Sequence, residues 1–142
     1  MGILGRYEPQ IYSIMRIIVG FLFIWHGTQK LLGYPPSQGS GGGGGLSPLI
    51  ATAGVIELVG GLMIMLGLFA GIAAFIASGT MAVAYFMGHF TMQAFLPIQN
   101  RGELAVLYCF VFLYIAARGS GIWSLDSLMG RANAGNRAAQ VT

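Results

Sequence analysis

Apolar residues dominate four stretches of the chain, and polar or glycine-rich connections separate them. These stretches cover residues 11–32, 48–68, 71–89 and 102–117. A helix that crosses the hydrocarbon core of a bilayer needs about 20 mostly apolar residues. Short connections between successive helices make them antiparallel. The pattern therefore predicts an all-α protein, an integral membrane four-helix bundle with antiparallel helices.

The connections set the expected boundaries of this membrane domain, which we place at residues 1–128. Residues 33–47 form a glycine-rich loop on the outer side, and residues 129–142 are small, polar and expected to be disordered. The fourth stretch is the shortest. We predict that Asn100 caps its helix and that Glu103, three residues later, completes a capping box.

Composition supports the membrane assignment and excludes several other classes of protein. The 142 residues are 56% hydrophobic and 8% charged, whereas an ordinary soluble domain is about 25% charged. A single cysteine, Cys109, allows neither an internal disulfide nor a Cys-x-x-Cys pair. This excludes the membrane thiol oxidoreductases that need two thiols. No basic cluster with interleaved aromatic residues is present, so nucleic-acid binding is not expected.

Positive charges predict the orientation of the chain. Both termini and the middle turn of a four-span protein share one side of the membrane, and that side carries most of the arginines: Arg6, Arg118, Arg131 and Arg137, with Arg16 close by. The other side carries Lys30 and Arg101. The positive-inside rule then places both termini in the cytoplasm of a bacterial cell, with a multi-pass chain in the cytoplasmic membrane.

The first stretch carries charged residues at helical spacing. Arg16, Gly20, Phe23, Gly27 and Lys30 are separated by 4, 3, 4 and 3 positions, so they share one face of a helix. A charge facing lipid at mid-depth costs about 2.5–3.5 kcal/mol on insertion scales. We expect this face to point into the bundle, with the glycines allowing a neighbouring backbone to approach.

Counting depth along each helix predicts a polar cluster in the outer half of the membrane domain. Glu57 is expected beside His26, and Lys30 beside Glu103. Other polar residues lie at similar or shallower depth, namely Tyr85, His89 and Asn100. Arg16 lies nearer the cytoplasmic side. Structural alternatives stay open: Glu57 fixing helix register, Lys30 extending to the surface, and Arg16 anchoring its helix.

The two histidines do not predict a haem or metal site. His26 and His89 are expected at different depths, and the sequence contains no His-x3-His, Glu-x2-His or Cys/His cluster. No metal and no intrinsic cofactor are therefore predicted.

Four motifs, in order and at their spacing, give the chain a resemblance to a known family. They are Arg16-x3-Gly20-x2-Phe23-x3-Gly27-x2-Lys30, Glu57-x2-Gly60-Gly61, Pro97-x2-Asn100-x-Gly102-Glu103-Leu104-Ala105 and Gly119-x-Gly121-x2-Ser124-Leu125-Asp126. Over residues 10–128 the chain resembles the DoxX family of small four-helix membrane proteins. The resemblance implies a bacterial cytoplasmic-membrane protein tied to redox complexes, since some relatives are subunits of a thiosulfate:quinone oxidoreductase.

Three functions compete at this point. Without cysteine pairs or haem ligands, the chain holds electrons only through a bound quinone or through a partner. We therefore expect an accessory subunit of a quinone-linked membrane complex rather than a stand-alone oxidoreductase, in contact with lipid and with other membrane subunits. The alternatives are a subunit that itself reduces quinone, using Glu57, His26 and Lys30, and a carrier of small solutes.

Overall fold

The computed structural model describes residues 2–36 and 46–130, and in these ranges it contains helices and no strand. Four long helices follow one another along the chain: α1 (Glu8–Leu32), α2 (Pro48–Leu66), α3 (Ala70–Gly88) and α4 (Glu103–Arg118). Shorter helical turns cover Gly5–Tyr7, Pro97–Asn100 and residues 125–130. Most of the expected glycine-rich loop and of the expected disordered tail lies outside the described residues.

Local sequence explains where α1 and α2 begin and end. Pro9 lies in the first turn of α1, where the missing N–H costs nothing, and Gly33 ends the helix with a φ of 67°. The hydroxyl of Ser47 accepts a hydrogen bond from the backbone N of Ile50, which caps α2. Gly67, at a φ of 69°, ends α2 and leads directly into the turn before α3.

The start of α4 corrects the expected cap. Asn100 is the last residue of the short helix Pro97–Asn100, and α4 begins at Glu103 with Gly102 as its N-cap and no side-chain cap. The Asn100 side chain accepts a hydrogen bond from Gly102 N at 2.8 Å instead. The capping-box prediction was therefore wrong, because Pro97 starts a separate turn and Arg101 then breaks the helical path with a φ of 59°.

Three of the long helices are long and apolar enough to cross a membrane. They are α1 with its preceding turn (Gly5–Leu32), α2 (Pro48–Leu66) and α3 (Ala70–Gly88). The fourth long helix, α4, has 16 residues and is shorter than the roughly 20 residues that a spanning helix needs. The outer surface is strongly apolar, since Phe75, Leu107 and Phe110 are each about two-thirds exposed, at 66%, 64% and 64%. An apolar exterior of this kind suits lipid rather than water.

Glycines set the packing of α1 against α2. A Cβ on Gly20 would lie 2.6 Å from the backbone N of Met65, and one on Gly27 would lie 2.5 Å from the backbone N of Leu58. Such distances allow no side chain, so the two backbones touch at both positions. The predicted role of these glycines is confirmed. Arg16, Gly20, Phe23 and Gly27 are all buried on this inward face.

The centre of the molecule is closed by large apolar side chains. Phe23 of α1, Ile64 of α2 and both Phe112 and Ile115 of α4 are completely buried, and α3 contributes a row of alanines to the same core. This core separates two polar regions, one at each end of the helices.

Candidate functional site

Glu57 lies in an irregular part of α2. Residues Ile56–Gly60 form a π-helical turn within the longer helix. Such turns add one residue to a helical turn, and they often occur at functional sites. The side chain of Glu57 is 1% exposed, so the turn holds a carboxylate in the interior.

Lys30 is the ionic partner of Glu57. The Lys30 ammonium donates to Glu57 Oε1, although the Lys30 side chain itself is 36% exposed. The predicted pairing of Lys30 with Glu103 is wrong, because Glu103 is exposed and makes no ion pair within the described residues. The flexible stem of Lys30 extends inward to the deeper carboxylate.

The second carboxylate oxygen, Glu57 Oε2, is buried and has no hydrogen-bond partner in the part of the chain that the structure describes. Glu57 lines a cavity of about 260 Å³ near one end of the helices. We call it the Glu57 cavity, and its lining comprises Phe23, His26, Lys30, Glu57, Met81, Ala84, His89, Arg101, Leu104, Ala105 and Tyr108. A buried acceptor without a donor carries a free-energy cost of about 1–3 kcal/mol or more, which a bound donor would offset.

Aromatic side chains form one wall of the Glu57 cavity, between α1 and α4. The ring of Tyr108 lies 5.4 Å from that of Phe23 and 5.8 Å from that of His26, measured between centroids. His26 and Glu57, which we expected to be neighbours, line the same cavity without a hydrogen bond between them among the described residues. The α1–α4 contact therefore consists of side chains rather than touching backbones, and it leaves room for the cavity.

Two further basic side chains lie at the cavity. His89 Nδ1 lies 3.1 Å from the carbonyl oxygen of Asn100. A carbonyl only accepts, so His89 donates from Nδ1 in this contact. Arg101 adds a cation from a backbone with a positive φ of 59°. Strained positions of this kind persist where the surrounding structure fixes them.

Asn100 and Tyr85, both predicted members of the polar cluster, lie in a different place. The Tyr85 hydroxyl donates to the carbonyl of Phe95 at 2.8 Å, and the Asn100 amide donates to the carbonyl of Ala94 at 3.0 Å. These bonds hold the loop between α3 and α4, and neither side chain lines the Glu57 cavity. Their role is to fix the loop that carries His89 and Arg101.

Arg16 lies in the second polar region, at the opposite end of α1, and is completely buried. Its guanidinium donates to the carbonyls of Ile64 at 2.6 Å, Met65 at 2.9 Å and Trp123 at 2.7 Å. The first two carbonyls end α2, and the third belongs to the segment after α4. Arg16 therefore neither extends to the surface nor reaches Glu57; it joins three parts of the chain.

The segment after α4, residues 119–126, completes this second region. Asp126 Oδ2 accepts from the backbone N of Phe69 at 2.9 Å and from the hydroxyl of Ser120. The hydroxyl of Ser13 donates to the carbonyl of Ile122 at 2.7 Å. We call this set of bonds, together with those of Arg16, the Arg16 clamp.

Sequence reasoning missed Tyr108 and Arg101 as members of the site. A signal for Tyr108 was present, because Ala105, Tyr108, Phe112 and Ile115 recur at helical spacing and form the buried face of α4. Tyr108 is the polar residue on that face. In the sequence, Arg101 matters only as a positive charge that helps to predict the orientation of the chain in the membrane. No pattern within its loop indicates that it lines a cavity.

Comparisons with known proteins identify the family of the chain. The DoxX family model matches residues 11–90 of the chain. A protein of Haemophilus influenzae, named only as an uncharacterized protein, is 45% identical over 129 residues, which cover 89% of this chain and 96% of that protein. No solved structure matches. The apolar helices of the chain make it a membrane protein in contact with lipid. By the match to the family model, the chain belongs to the DoxX family.

Proposed function

We propose that the chain is a four-span protein of the bacterial cytoplasmic membrane that serves as an accessory subunit of a quinone-linked redox complex. In this proposal the Glu57 cavity holds the polar head group of the quinone. The observation that carries it is the orphan oxygen of Glu57, a buried acceptor at a cavity that otherwise lies among apolar and basic side chains. Such a combination of apolar lining and a few convergent polar groups is typical of a ligand site.

The position of the cavity supports a ligand that arrives from the lipid. Leu104 lines the cavity and is 49% exposed, and Lys30 on α1 is also partly exposed. The opening thus lies between α1 and α4, where aromatic side chains rather than backbones meet. A volume of about 260 Å³ is slightly below the range of about 300–1,000 Å³ for whole-ligand pockets. It suits a head group whose tail remains outside.

The fourth span and the orientation are part of the same proposal. The 16 residues of α4 cover about 24 Å at 1.5 Å per residue, close to the hydrocarbon thickness of a bilayer. Arg118 at the end of α4 pairs with Glu8 at the start of α1. This pair and the Arg16 clamp form the cytoplasmic end, whereas Lys30 and Arg101 lie at the outer end.

An accessory role fits the chain better than catalysis or transport. The sequence has one cysteine and two histidines, so it offers no dithiol to accept electrons. A solute carrier needs a path between the two polar ends, and the buried side chains of Phe23, Ile64 and Phe112 occupy the space between them. Electrons must therefore pass between the bound head group and a partner subunit that carries a redox centre.

Purification from native membranes in mild detergent tests this proposal. We expect the wild-type chain to co-purify with a subunit that carries a flavin, haem or iron–sulfur centre, and to retain quinone that solvent extraction and chromatography can quantify. Glu57→Gln should keep the partner but lose the quinone-linked turnover. Glu103→Gln is the matched control, since this exposed carboxylate lies outside the cavity, and it should retain both.

Two results would contradict the proposal. One is a wild-type chain that elutes without any cofactor-bearing partner and without quinone. The other is a Glu57→Gln chain that sustains as much quinone-linked turnover as the wild type, which would remove the cavity from the function.

A further inference from the structure

The polar groups of the Glu57 cavity differ in what they can offer a ligand. Glu57 Oε2 is an acceptor without a donor. His89 is already bonded through Nδ1 to the carbonyl oxygen of Asn100. The hydroxyl of Tyr108 makes no hydrogen bond with the described residues, and it can donate to or accept from a ligand.

The charges around the cavity exclude strongly charged ligands. Lys30 already neutralises Glu57 through Oε1, so the site does not demand a cation. Arg101 also lines the cavity and would repel a cation, whereas an anion that only accepts hydrogen bonds would leave Glu57 Oε2 unpaired. An uncharged ligand that brings a hydrogen-bond donor satisfies Glu57 Oε2 without either penalty.

The walls of the cavity favour a flat ring. Phe23 and Tyr108 place aromatic rings side by side at 5.4 Å between centroids, and Ala84 and Ala105 leave open space beside them. Aromatic pairs prefer offset or edge-to-face contacts at such distances. A single hydroxylated ring fits both the walls and the volume of about 260 Å³.

We infer that the Glu57 cavity selects an uncharged aromatic ring by its hydroxyl group, and hence takes the reduced quinol in preference to the oxidised quinone. The hydroxyl donates to Glu57 Oε2, and the hydroxyl oxygen accepts from Tyr108. A quinone carbonyl only accepts, so it leaves Glu57 Oε2 unpaired, and an unpaired buried acceptor is strongly disfavoured. This inference rests on the proposed function, in which the cavity is a ligand site.

Two probes that differ in one methyl group test the hydroxyl directly. 4-Fluorophenol donates a hydrogen bond and 4-fluoroanisole does not, and fluorine NMR can follow the binding of each to the purified full chain in detergent micelles. We expect 4-fluorophenol to bind at least tenfold more tightly. Protein-free micelles measure the partitioning of each probe into detergent, which is subtracted.

Variants of Glu57 and Glu103 assign the preference to the cavity. Glu57→Gln should reduce the phenol-over-anisole ratio to about threefold or less, because an amide can accept from a hydroxyl and also donate to an ether oxygen. Glu103→Gln should keep the wild-type ratio. Circular dichroism confirms that each variant keeps its helices.

Specific outcomes overturn the inference. Equal affinity of the folded wild-type chain for both probes would do so, as would no saturable binding of 4-fluorophenol. The inference would also be overturned if Glu57→Gln kept the wild-type ratio of 4-fluorophenol to 4-fluoroanisole affinity. None of these results depends on a partner subunit. The selectivity can therefore fail while the quinone-linked complex is still isolated, and it can hold when no partner is found.

Discussion

The two polar ends of the molecule bury opposite charges in different ways. At the end of the molecule near the turn between α2 and α3, the guanidinium of Arg16 donates three hydrogen bonds to backbone carbonyls, and only its Nε atom has no partner among the described residues. At the opposite end, Glu57 uses one oxygen for Lys30 and leaves the other without a partner among the described residues, at a cavity.

This difference separates a structural role from a binding role. Arg16 does not line the Glu57 cavity, and its hydrogen-bond partners lie in other segments of the chain, so its charge holds the fold together. Among the described residues Glu57 bonds only to Lys30, and it presents its second oxygen to the cavity. Burial of a charge alone does not identify a ligand site; a free hydrogen-bonding atom at a cavity does.

The largest effect on stability is expected from Arg16→Leu. This change removes the guanidinium from the carbonyls of Ile64, Met65 and Trp123. Among the described residues only the carbonyl of Ile64 keeps a backbone donor, the N of Gly67, and the free energy of unfolding should fall by about 3 kcal/mol. Titration with a denaturing detergent measures the loss. Arg6→Leu is the control, because Arg6 is exposed and stacks on Tyr7, and it should cost less than about 1 kcal/mol.

Arg16→Leu also tests the division between the two ends. If Arg16 has only a structural role, any variant protein that remains folded should bind 4-fluorophenol as tightly as the wild type. If Arg16→Leu were as stable as the wild type but no longer bound 4-fluorophenol, the roles that we assign to the two ends would be reversed.

A smaller effect is expected at the ion pair, and it should be asymmetric. Lys30→Met strands a carboxylate that is 1% exposed, so we expect a loss of about 2 kcal/mol. Glu57→Gln leaves a lysine that is 36% exposed and can turn to water, so its cost should be about 1 kcal/mol or less. Unfolding titrations of both variants measure the difference.

The double variant Lys30→Met/Glu57→Gln provides the control for this asymmetry. It removes both charges, and its stability should exceed that of Lys30→Met alone. Equal losses for the two single variants would show that Glu57 reaches water in the folded protein, which contradicts its burial.

Much of the fold was predictable because helices in lipid depend on local sequence. The four long helices lie within about one turn of the apolar stretches, and the inward face of α1 follows from the spacing of Arg16, Gly20, Phe23 and Gly27. Gly33 and Gly67 mark helix ends through their positive φ. These features depend on residues a few positions apart.

The composition of the site was less predictable because it depends on contacts between helices. Depth counting placed Lys30 near the surface and Glu57 deeper, and it ignored the reach of a lysine side chain across that difference. Tyr108 and Arg101 enter the cavity through the position of α4 relative to α1. The pattern within α4 predicts which face is buried, but not which residue of α1 it meets.

The smallest effect on stability is expected at Glu103, which the sequence analysis places beside Lys30 on the basis of depth in the membrane. Glu103 is exposed in the first turn of α4, where a carboxylate interacts favourably with the helix dipole. Glu103→Gln should therefore lower the free energy of unfolding by about 0.5 kcal/mol. A double-mutant cycle with Lys30→Met measures whether the two residues interact, and for Glu103 we expect a coupling close to zero.

The same cycle applied to Lys30 and Glu57 should give a coupling of about 1 kcal/mol or more, as for residues in direct contact. The two cycles share Lys30→Met, so errors from that variant affect both equally. If Lys30 coupled more strongly to Glu103 than to Glu57, the ion pair would belong at the surface. Glu57 would then lie buried with both oxygens free, and the preference of the cavity for a single hydroxyl donor would no longer follow.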